Sequence, residues 1–186
     1  GLYVLLHAEA IVSKPAIEFN YTGNMTRLPE FDSPRIGYNS NQTTIKLDAP
    51  NNANGVLFAL AGYAGGLTLF VENGILNYEY NLFEIQRTKL KTKTKLPQGK
   101  STVEVFFKRI PNKDSPKLSG AEVTILLNGK EETKGIVPTI INAGFSANEC
   151  FDIGTDLGSP VSETYYDKAP FKFNGTIDSV NIKYLK

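Results

Sequence analysis

Residues 55–90 read GVLFALAGYAGGLTLFVENGILNYEYNLFEIQRTKL, and this stretch decides the fold. Asn73-Gly74 is the strongest short signal for a β-hairpin, because a type I′ turn needs positive φ at both central residues. A two-residue turn also fixes which residues face each other across the hairpin. Turn chemistry and hydrophobic pattern agree on one register, which places six residues on one face as the pairs Val71–Leu76, Leu69–Tyr78 and Leu67–Tyr80.

Short strands of this kind recur along the whole chain. Residues 56–61 are apolar on both alternating faces, which suits a central strand of a sandwich covered on one side by another sheet. Residues 62–66, Gly-Tyr-Ala-Gly-Gly, indicate a tight connection. We count roughly ten to twelve short strands, of which the first is 17–21 and the last two lie within 171–185. The turn signals between them have the spacing expected of a sandwich or barrel. The sequence therefore predicts an all-β, antiparallel two-sheet sandwich.

Two stretches leave alternatives open. A strict two-residue turn at Asn128-Gly129 would place Val123, Ile125 and Leu127 beside charged residues. We expect either an edge strand whose long side chains lie over apolar surface, or a bulge that shifts the pairing. Residues 88–95, TKLKTKTK, predict a strand with a solvated lysine face, and an anion-binding strip is the alternative.

Composition excludes several classes of function. The 186 residues are 41% hydrophobic and 21% charged with a net charge of +1, values of an ordinary globular domain with no general attraction to nucleic acid. No apolar run approaches the roughly 18 residues that span a bilayer. The single histidine, His7, makes a histidine-based catalytic triad improbable. Cys150 is the single cysteine, and its acidic neighbours predict a raised thiol pKa and an inert side chain.

Six stretches together resemble a known family. They are 25–30 MTRLPE, 54–83, 96–107 LPQGKSTVEVFF, 123–130 VTILLNGK, 145–165 FSANECFDIGTDLGSPVSETY and 171–185 FKFNGTIDSVNIKYL. Their order resembles the C-terminal β-sandwich domain that follows the catalytic domain of bacterial arylsulfatases. The last stretch also resembles the closing strand of concanavalin-like, lectin-like jelly rolls. The resemblance implies a jelly-roll domain over residues 17–186, preceded by a leader or interdomain linker over residues 1–16.

The resemblance also implies what the chain lacks. Arylsulfatases carry Cys or Ser, any residue, Pro, any residue, Arg, and Cys150 is followed by Phe151-Asp152 instead. We therefore expect no enzyme activity in this chain and an arylsulfatase as its parent. Its partner would be the sulfatase catalytic domain of the same polypeptide. A bacterial source is implied, whereas a periplasmic, secreted or cytoplasmic location stays open.

One polar and aromatic group is a candidate ligand site. Tyr78, Tyr80, Asn81 and Arg87 could bind a sugar or a sulfated ligand by ring stacking and forked hydrogen bonds. The hairpin register, however, places both tyrosines on the face of Leu67 and Leu69. The alternative is therefore that they are core or interface residues. The same alternation predicts that Phe58, Phe70 and Phe106 are core residues.

The loop 146–168 is rich in acids and glycines, and within it Asp152 and Asp156 are candidate calcium ligands. Their spacing does not match an EF-hand, and Asp beside Gly is also ordinary turn chemistry. The run Asp152-x-Gly154-x-Asp156-x-Gly158 recurs in the resembled family, which implies a fixed backbone shape. We therefore expect no cofactor, with calcium as the alternative.

Three functions follow from these observations. The first is a non-catalytic accessory domain that packs on a sulfatase catalytic domain. It predicts an exposed apolar patch. The second is a carbohydrate-binding, lectin-like module, which predicts a groove lined by exposed tyrosines and polar side chains. The third is a glycoside hydrolase, which would need two carboxylates about 5–9 Å apart, with Glu79 and Glu104 as the strand acids available.

Overall fold

A computed structural model describes residues 17–115 and 118–186 and contains twelve β-strands in that range. The expected leader or linker, residues 1–16, lies outside the described residues. Two short 3₁₀ helices, Glu30–Asp32 and Glu163–Lys168, lie between strands. The strands are β1 (Glu18–Thr22), β2 (Met25–Pro29), β3 (Asn41–Ala49), β4 (Gly55–Gly62), β5 (Gly65–Glu72), β6 (Ile75–Leu82), β7 (Gln86–Lys91), β8 (Gly99–Ile110), β9 (Gly120–Leu127), β10 (Lys130–Val137), β11 (Cys150–Ile153) and β12 (Thr176–Tyr184).

The strands form two six-stranded sheets, which confirms the predicted fold class. Sheet A has the order β1-β12-β3-β8-β9-β10, and sheet B has the order β2-β11-β4-β5-β6-β7. Every pairing between neighbouring strands is antiparallel. Side chains from the facing sides of both sheets interdigitate as one large apolar core. Among the described residues, no helix has the length and apolar character needed to cross a membrane.

The central hairpin has the predicted register. Val71 pairs with Leu76, Leu69 with Tyr78, and Leu67 with Tyr80. Asn73 and Gly74 have φ of 50° and 83°, as a type I′ turn requires. The six paired side chains are buried between the sheets. The local turn chemistry was sufficient to predict this register, because the burial pattern favours the same one.

At the Asn128-Gly129 hairpin the second alternative, a bulge that shifts the pairing, is confirmed, and β10 is an edge strand as the first alternative expected. The β9–β10 register shifts between Glu131 and Thr133, so a bulge at Glu132 moves the remaining pairs by one residue. Ile125 then faces Thr133, and the edge strand β10 presents Lys130 and Glu131 to solvent. The bulge thus keeps the apolar face of β9 in the core.

Several expectations need correction. Phe58 and Phe70 are buried, but Phe106 lies half-buried on the outer face of sheet A, so its predicted place in the core was wrong. Phe107 takes the core position instead, in phase with Val103 and Val105. The predicted loop 146–168 contains the short strand β11, and the last stretch forms the single strand β12 rather than two. An isolated bridge between Val56 and Lys172 replaces the missing strand.

Candidate functional site

Residues 154–171, here called the covering segment, cross the outer face of sheet B. Val161, Tyr165 and Phe171 pack there against Val56, Ala59 and Phe70 as a second apolar cluster. The ring of Tyr165 lies edge-on to Phe70 at 4.9 Å and stacks on Phe171 at 5.4 Å. Gly154 N–H donates to Leu57 O at 2.9 Å and Val56 N–H donates to Phe171 O at 2.8 Å, so both ends of the segment are held at β4. Strand β4 is therefore buried on both faces.

The covering segment contains a buried carboxyl group. Asp156 Oδ2 accepts hydrogen bonds from the Tyr165 hydroxyl and from Val161 N–H. The Tyr165 hydroxyl also lies 3.1 Å from Thr68 Oγ1 on β5, which ties the segment to the sheet. Burial raises the pKa of Asp156 to about 7, because the charged form loses its hydration, and this outweighs the lowering by the two hydrogen bonds.

A buried ion pair, with its hydrogen bonds, joins the covering segment to β6 and β7. Arg87 Nη1 lies 2.8 Å from Glu79 Oε1 and donates to the carbonyl of Val161 at 3.0 Å. Ser162 Oγ donates to Glu79 Oε2 and accepts from Thr164 N–H, which caps the second 3₁₀ helix. A buried ion pair is weak support for stability in itself, but its hydrogen bonds fix the groups that they join. The pair therefore sets the position of residues 161–164.

Tyr63 lies in the turn between β4 and β5, and three residues fix its position. Asn81 Nδ2 donates to its carbonyl oxygen at 2.6 Å, and the guanidinium carbon of Arg87 lies 5.3 Å from the centre of its ring. Its N–H donates to Ser159 Oγ at 3.0 Å, and Ser159 Oγ donates to Glu149 Oε1 at 2.7 Å. A Cβ on the neighbouring Gly62 would lie only 2.2 Å from Ser159 Oγ, so the close approach requires glycine.

Above these supports lies a groove of about 680 Å³, here called the tyrosine groove. Its volume is within the range of about 300–1,000 Å³ common for ligand pockets. The rings of Tyr63 and Tyr166 meet edge to face at 5.8 Å with an interplanar angle of 73°, and Tyr166 is 56% exposed. The Tyr63 hydroxyl donates to Glu163 Oε1 at 3.3 Å. The groove is lined by Tyr63, Gly158, Ser159, Pro160, Glu163, Tyr166 and Asp167.

The electrostatic field at the groove is negative. The pKa of Tyr63 is raised, chiefly by the charge of Glu163, with smaller contributions from burial and from Glu84. The charge of Arg87 lowers this pKa, but by a smaller amount. The groove therefore combines aromatic surface with carboxylate hydrogen-bond acceptors.

The predicted ligand residues support this groove or the core rather than line the groove. Tyr78 and Tyr80 are buried between the sheets, and the Tyr80 hydroxyl donates to Gly37 O and accepts from Ile141 N–H. Burial raises the pKa of both. Asn81 is buried and Arg87 mostly so, and they contact Tyr63 from behind. Their direct role in ligand binding stays a prediction.

The two predicted calcium ligands bind backbone groups. Asp152 accepts from Arg27 N–H at 2.7 Å and from Leu157 N–H at 3.0 Å, and burial raises its pKa. Within residues 17–115 and 118–186, no three acidic, histidine or cysteine side chains are grouped as a metal site would need. The absence of a cofactor stays a prediction, with calcium as its alternative. The pKa of Cys150 is raised as expected, by burial first and then by Asp152 and Glu149.

The hydrolase alternative lacks its geometry. Glu79 lies on the outer face of sheet B, beneath the covering segment, and Glu104 lies on the outer face of sheet A. Carboxylates on opposite outer surfaces of a sandwich cannot flank one glycosidic bond. That assignment of an acid pair was wrong.

Sequence reasoning missed both tyrosines of the groove. Tyr63 sits in the glycine-rich turn and Tyr166 in the acidic loop, about 100 residues apart in a chain of 186. A tyrosine flanked by turn glycines, and a Tyr-Tyr pair within a polar loop, were the available signals. Neither signal indicates that the two rings meet.

Comparison by sequence finds no matching protein family and no matching curated protein. Comparison of structures finds similar folds. The Ruminococcus gnavus IT-sialidase CBM40 bound to alpha2,3 sialyllactose is 13% identical, with a TM-score of 0.55 over 90% of this chain and 94% of its own. Domains LG4-5 of the mouse laminin alpha1 chain are 13% identical, with a TM-score of 0.59 over 94% of this chain and 44% of theirs.

A third similar structure is the receptor binding domain of a botulinum neurotoxin C/D mosaic serotype. It is 12% identical, with a TM-score of 0.54 over 91% of this chain and 40% of its own. The chain has a lectin-like jelly-roll β-sandwich fold. At these identities the likeness concerns the fold alone. It gives no support to a sulfatase parent, which stays a prediction.

Proposed function

We propose that this chain is a carbohydrate-binding module that holds a glycan in the tyrosine groove. The observation that carries the proposal is the pair of edge-to-face tyrosine rings, Tyr63 and Tyr166, in a groove with the carboxylates of Glu163 and Asp167. The C–H face of a sugar ring packs on an aromatic ring, while carboxylate oxygens accept hydrogen bonds from its hydroxyls. The groove therefore provides a partner both for the C–H face and for the hydroxyl groups of a sugar.

Rigidity of the site supports the proposal. Tyr63 is fixed by Asn81, Arg87 and Ser159, and the segment that carries Tyr166 is fixed by buried hydrogen bonds to Glu79 and Thr68. A site whose side chains are ordered before binding loses less conformational entropy when the ligand arrives. The fold adds weaker support by analogy, since the CBM40 neighbour is bound to sialyllactose.

The test is calorimetric titration of the domain with neutral tetrasaccharides, chitotetraose and cellotetraose, and with sialyllactose. We expect Tyr166→Ala to weaken binding about tenfold or more, as truncation of a central aromatic contact does. Phe31→Ala is the matched control, because Phe31 is 70% exposed and lies outside the groove. Equal binding by Tyr166→Ala and the wild type would contradict the proposal.

A second candidate function is packing on another protein domain, as the arylsulfatase resemblance implies. Ile85 is 85% exposed and Phe83 41% exposed in the turn between β6 and β7, and the ring of Phe83 packs on Phe145. Phe83 and Glu84 both have positive φ, a costly conformation for such side chains that functional surfaces often retain. Co-expression with a sulfatase catalytic domain, and loss of the complex in Ile85→Ser, would test this role.

A further inference from the structure

We propose that the tyrosine groove selects sugars that carry a protonated amine and discriminates against sialylated and sulfated glycans. The inference rests on the proposed function and assigns the ligand class of the same site. Its basis is the charge of the groove lining. Glu163 and Asp167 both line the groove, and the lining contains no lysine, arginine or histidine.

Two cations beside the groove each have a carboxylate partner of their own. Arg87 lies behind the Tyr63 ring, and its guanidinium is 2.8 Å from Glu79. Lys168 Nζ lies 3.0 Å from Glu72 Oε1. An anionic sugar entering the groove would therefore face two carboxylates without a free cation to pair with, and like-charge contact is a common basis of discrimination.

The aromatic rings favour the same ligand. A cation within about 6 Å of a tyrosine ring is attracted to the negative face of that ring. Tyr166 places an exposed ring beside the two carboxylates, so an ammonium group could contact both kinds of partner there, whereas the Tyr63 ring already has the Arg87 guanidinium against it. The raised pKa of the Tyr63 hydroxyl, caused chiefly by Glu163, agrees with a negative field at this position. Sugar hydroxyls can still bond to the same carboxylates, so neutral glycans should bind more weakly rather than not at all.

General attraction between the protein and a polycation does not account for such a preference. The chain has a formal net charge of +1, so its overall field does not favour cationic ligands. Selection must then come from the local groups of the groove. Asp167 has no ion-pair partner among the described residues, which leaves its carboxylate available to a ligand.

The experiment compares tetramers of the same backbone, glucosamine tetramer and its N-acetylated form chitotetraose, with sialyllactose as the anionic probe. Titrations are run at low salt and at a mildly acidic pH that keeps the amines protonated. We expect the glucosamine tetramer to bind about five- to tenfold more tightly than chitotetraose, with the preference reduced by added salt, and sialyllactose to bind most weakly.

The double variant Glu163→Gln, Asp167→Asn removes the charges and keeps the shape and the acceptor oxygens. It should lose the preference for the amine, so that the glucosamine tetramer binds no more tightly than chitotetraose, whatever the affinity of this variant for chitotetraose itself. Glu131→Gln is the matched control, because Glu131 is an exposed acid on the edge strand β10, outside the groove.

The outcomes separate the two proposals. Binding of chitotetraose in the groove with equal or weaker binding of the glucosamine tetramer would overturn the amine preference and leave the proposed function intact. Tighter binding of sialyllactose, abolished by Tyr166→Ala, would also overturn it. Absence of binding by all three ligands would overturn the proposed function, and the amine preference with it.

Discussion

The outer faces of the two sheets have similar polar patterns and different surroundings. On sheet B, the outward residues Thr68, Asn77, Glu79 and Asn81 are buried under or beside the covering segment. On sheet A, the outward side chains are half-buried and open to solvent, among them Gln42, Thr44, Glu104, Phe106 and Thr124. The comparison teaches that strand alternation predicts which side chains leave the core but not which of them reach water.

The covered face also accounts for the position of the groove. A lectin-like fold could present a whole sheet face to a ligand, but on sheet B the covering segment occupies that surface. The polar residues beneath it hold the segment in place, and the aromatic groups lie on its rim with Tyr63. Three experiments on stability sharpen this comparison, in order of decreasing expected effect.

Removal of the positive charge of Arg87 should lower the stability of the protein most. Arg87→Met leaves the Glu79 carboxylate buried without its ion pair, and Glu79 is only 2% exposed. We expect a loss of about 3–5 kcal/mol in the free energy of unfolding, measured by urea denaturation. Lys134→Met is the control on the edge of sheet A, where its ion pairs are exposed and should contribute about 0.5 kcal/mol or less. Equal effects of the two substitutions would refute the difference between the faces.

The pH dependence of stability should report Asp156. Its pKa is about 7 in the folded state and about 3.9 in an unfolded chain. The unfolded state therefore releases this proton first, and the contribution of Asp156 to stability is full below about pH 4 and is lost as pH rises to about 7. The total change should be on the order of 2–4 kcal/mol.

Asp156→Asn isolates this contribution. The amide keeps an oxygen to accept from Tyr165 and Val161 but does not ionise. Its free energy of unfolding should therefore fall less steeply than that of the wild type between pH 4 and 7, as measured by urea denaturation at each pH. Parallel curves for the two proteins would contradict a raised pKa at Asp156.

A smaller effect is expected from the hydroxyl that links the covering segment to the sheet. Tyr165→Phe keeps the packing against Phe70 and Phe171 but removes the hydroxyl contacts to Asp156 and to Thr68 on the sheet. We expect a loss of about 1–2 kcal/mol. Tyr184→Phe is the control at sheet A, where the hydroxyl accepts from Arg35 N–H at an exposed position and water can replace it. A Tyr165→Phe protein as stable as the control would show that the link adds nothing.

The sequence predicts the register and phase of a strand where the residues that determine them are close together in the chain. The β5–β6 register follows from Asn73-Gly74 and from residues within eight positions of that turn. The phase of β8 is also local, since Val103 and Val105 indicate Phe107 rather than Phe106 as the core residue. The prediction for Phe106 also appealed to alternation, but it used the wrong phase, because Phe106 alternates with these core residues rather than joining them.

The candidate site could not be predicted because its contacts are distant in sequence. Ser162 and Glu79 are 83 residues apart, and Tyr165 and Thr68 are 97 apart. Strand alternation shows that Glu79 and Thr68 share a face, but nothing local indicates that residues 154–171 fold over it. Asn81 and Arg87 were noticed for their chemistry, whereas their role as supports of Tyr63 depends on a contact that only the folded chain reveals.

Amide chemical-shift mapping during titration with chitotetraose tests the central claim most directly. If a glycan binds in the tyrosine groove, the shifts should concentrate at Tyr63, Ser159 and residues 163–167, and Tyr166→Ala should reduce them at the same ligand concentration. Shifts centred on Glu104 and Phe106, on the open face of sheet A, would contradict the account, because the binding surface would then be the uncovered sheet.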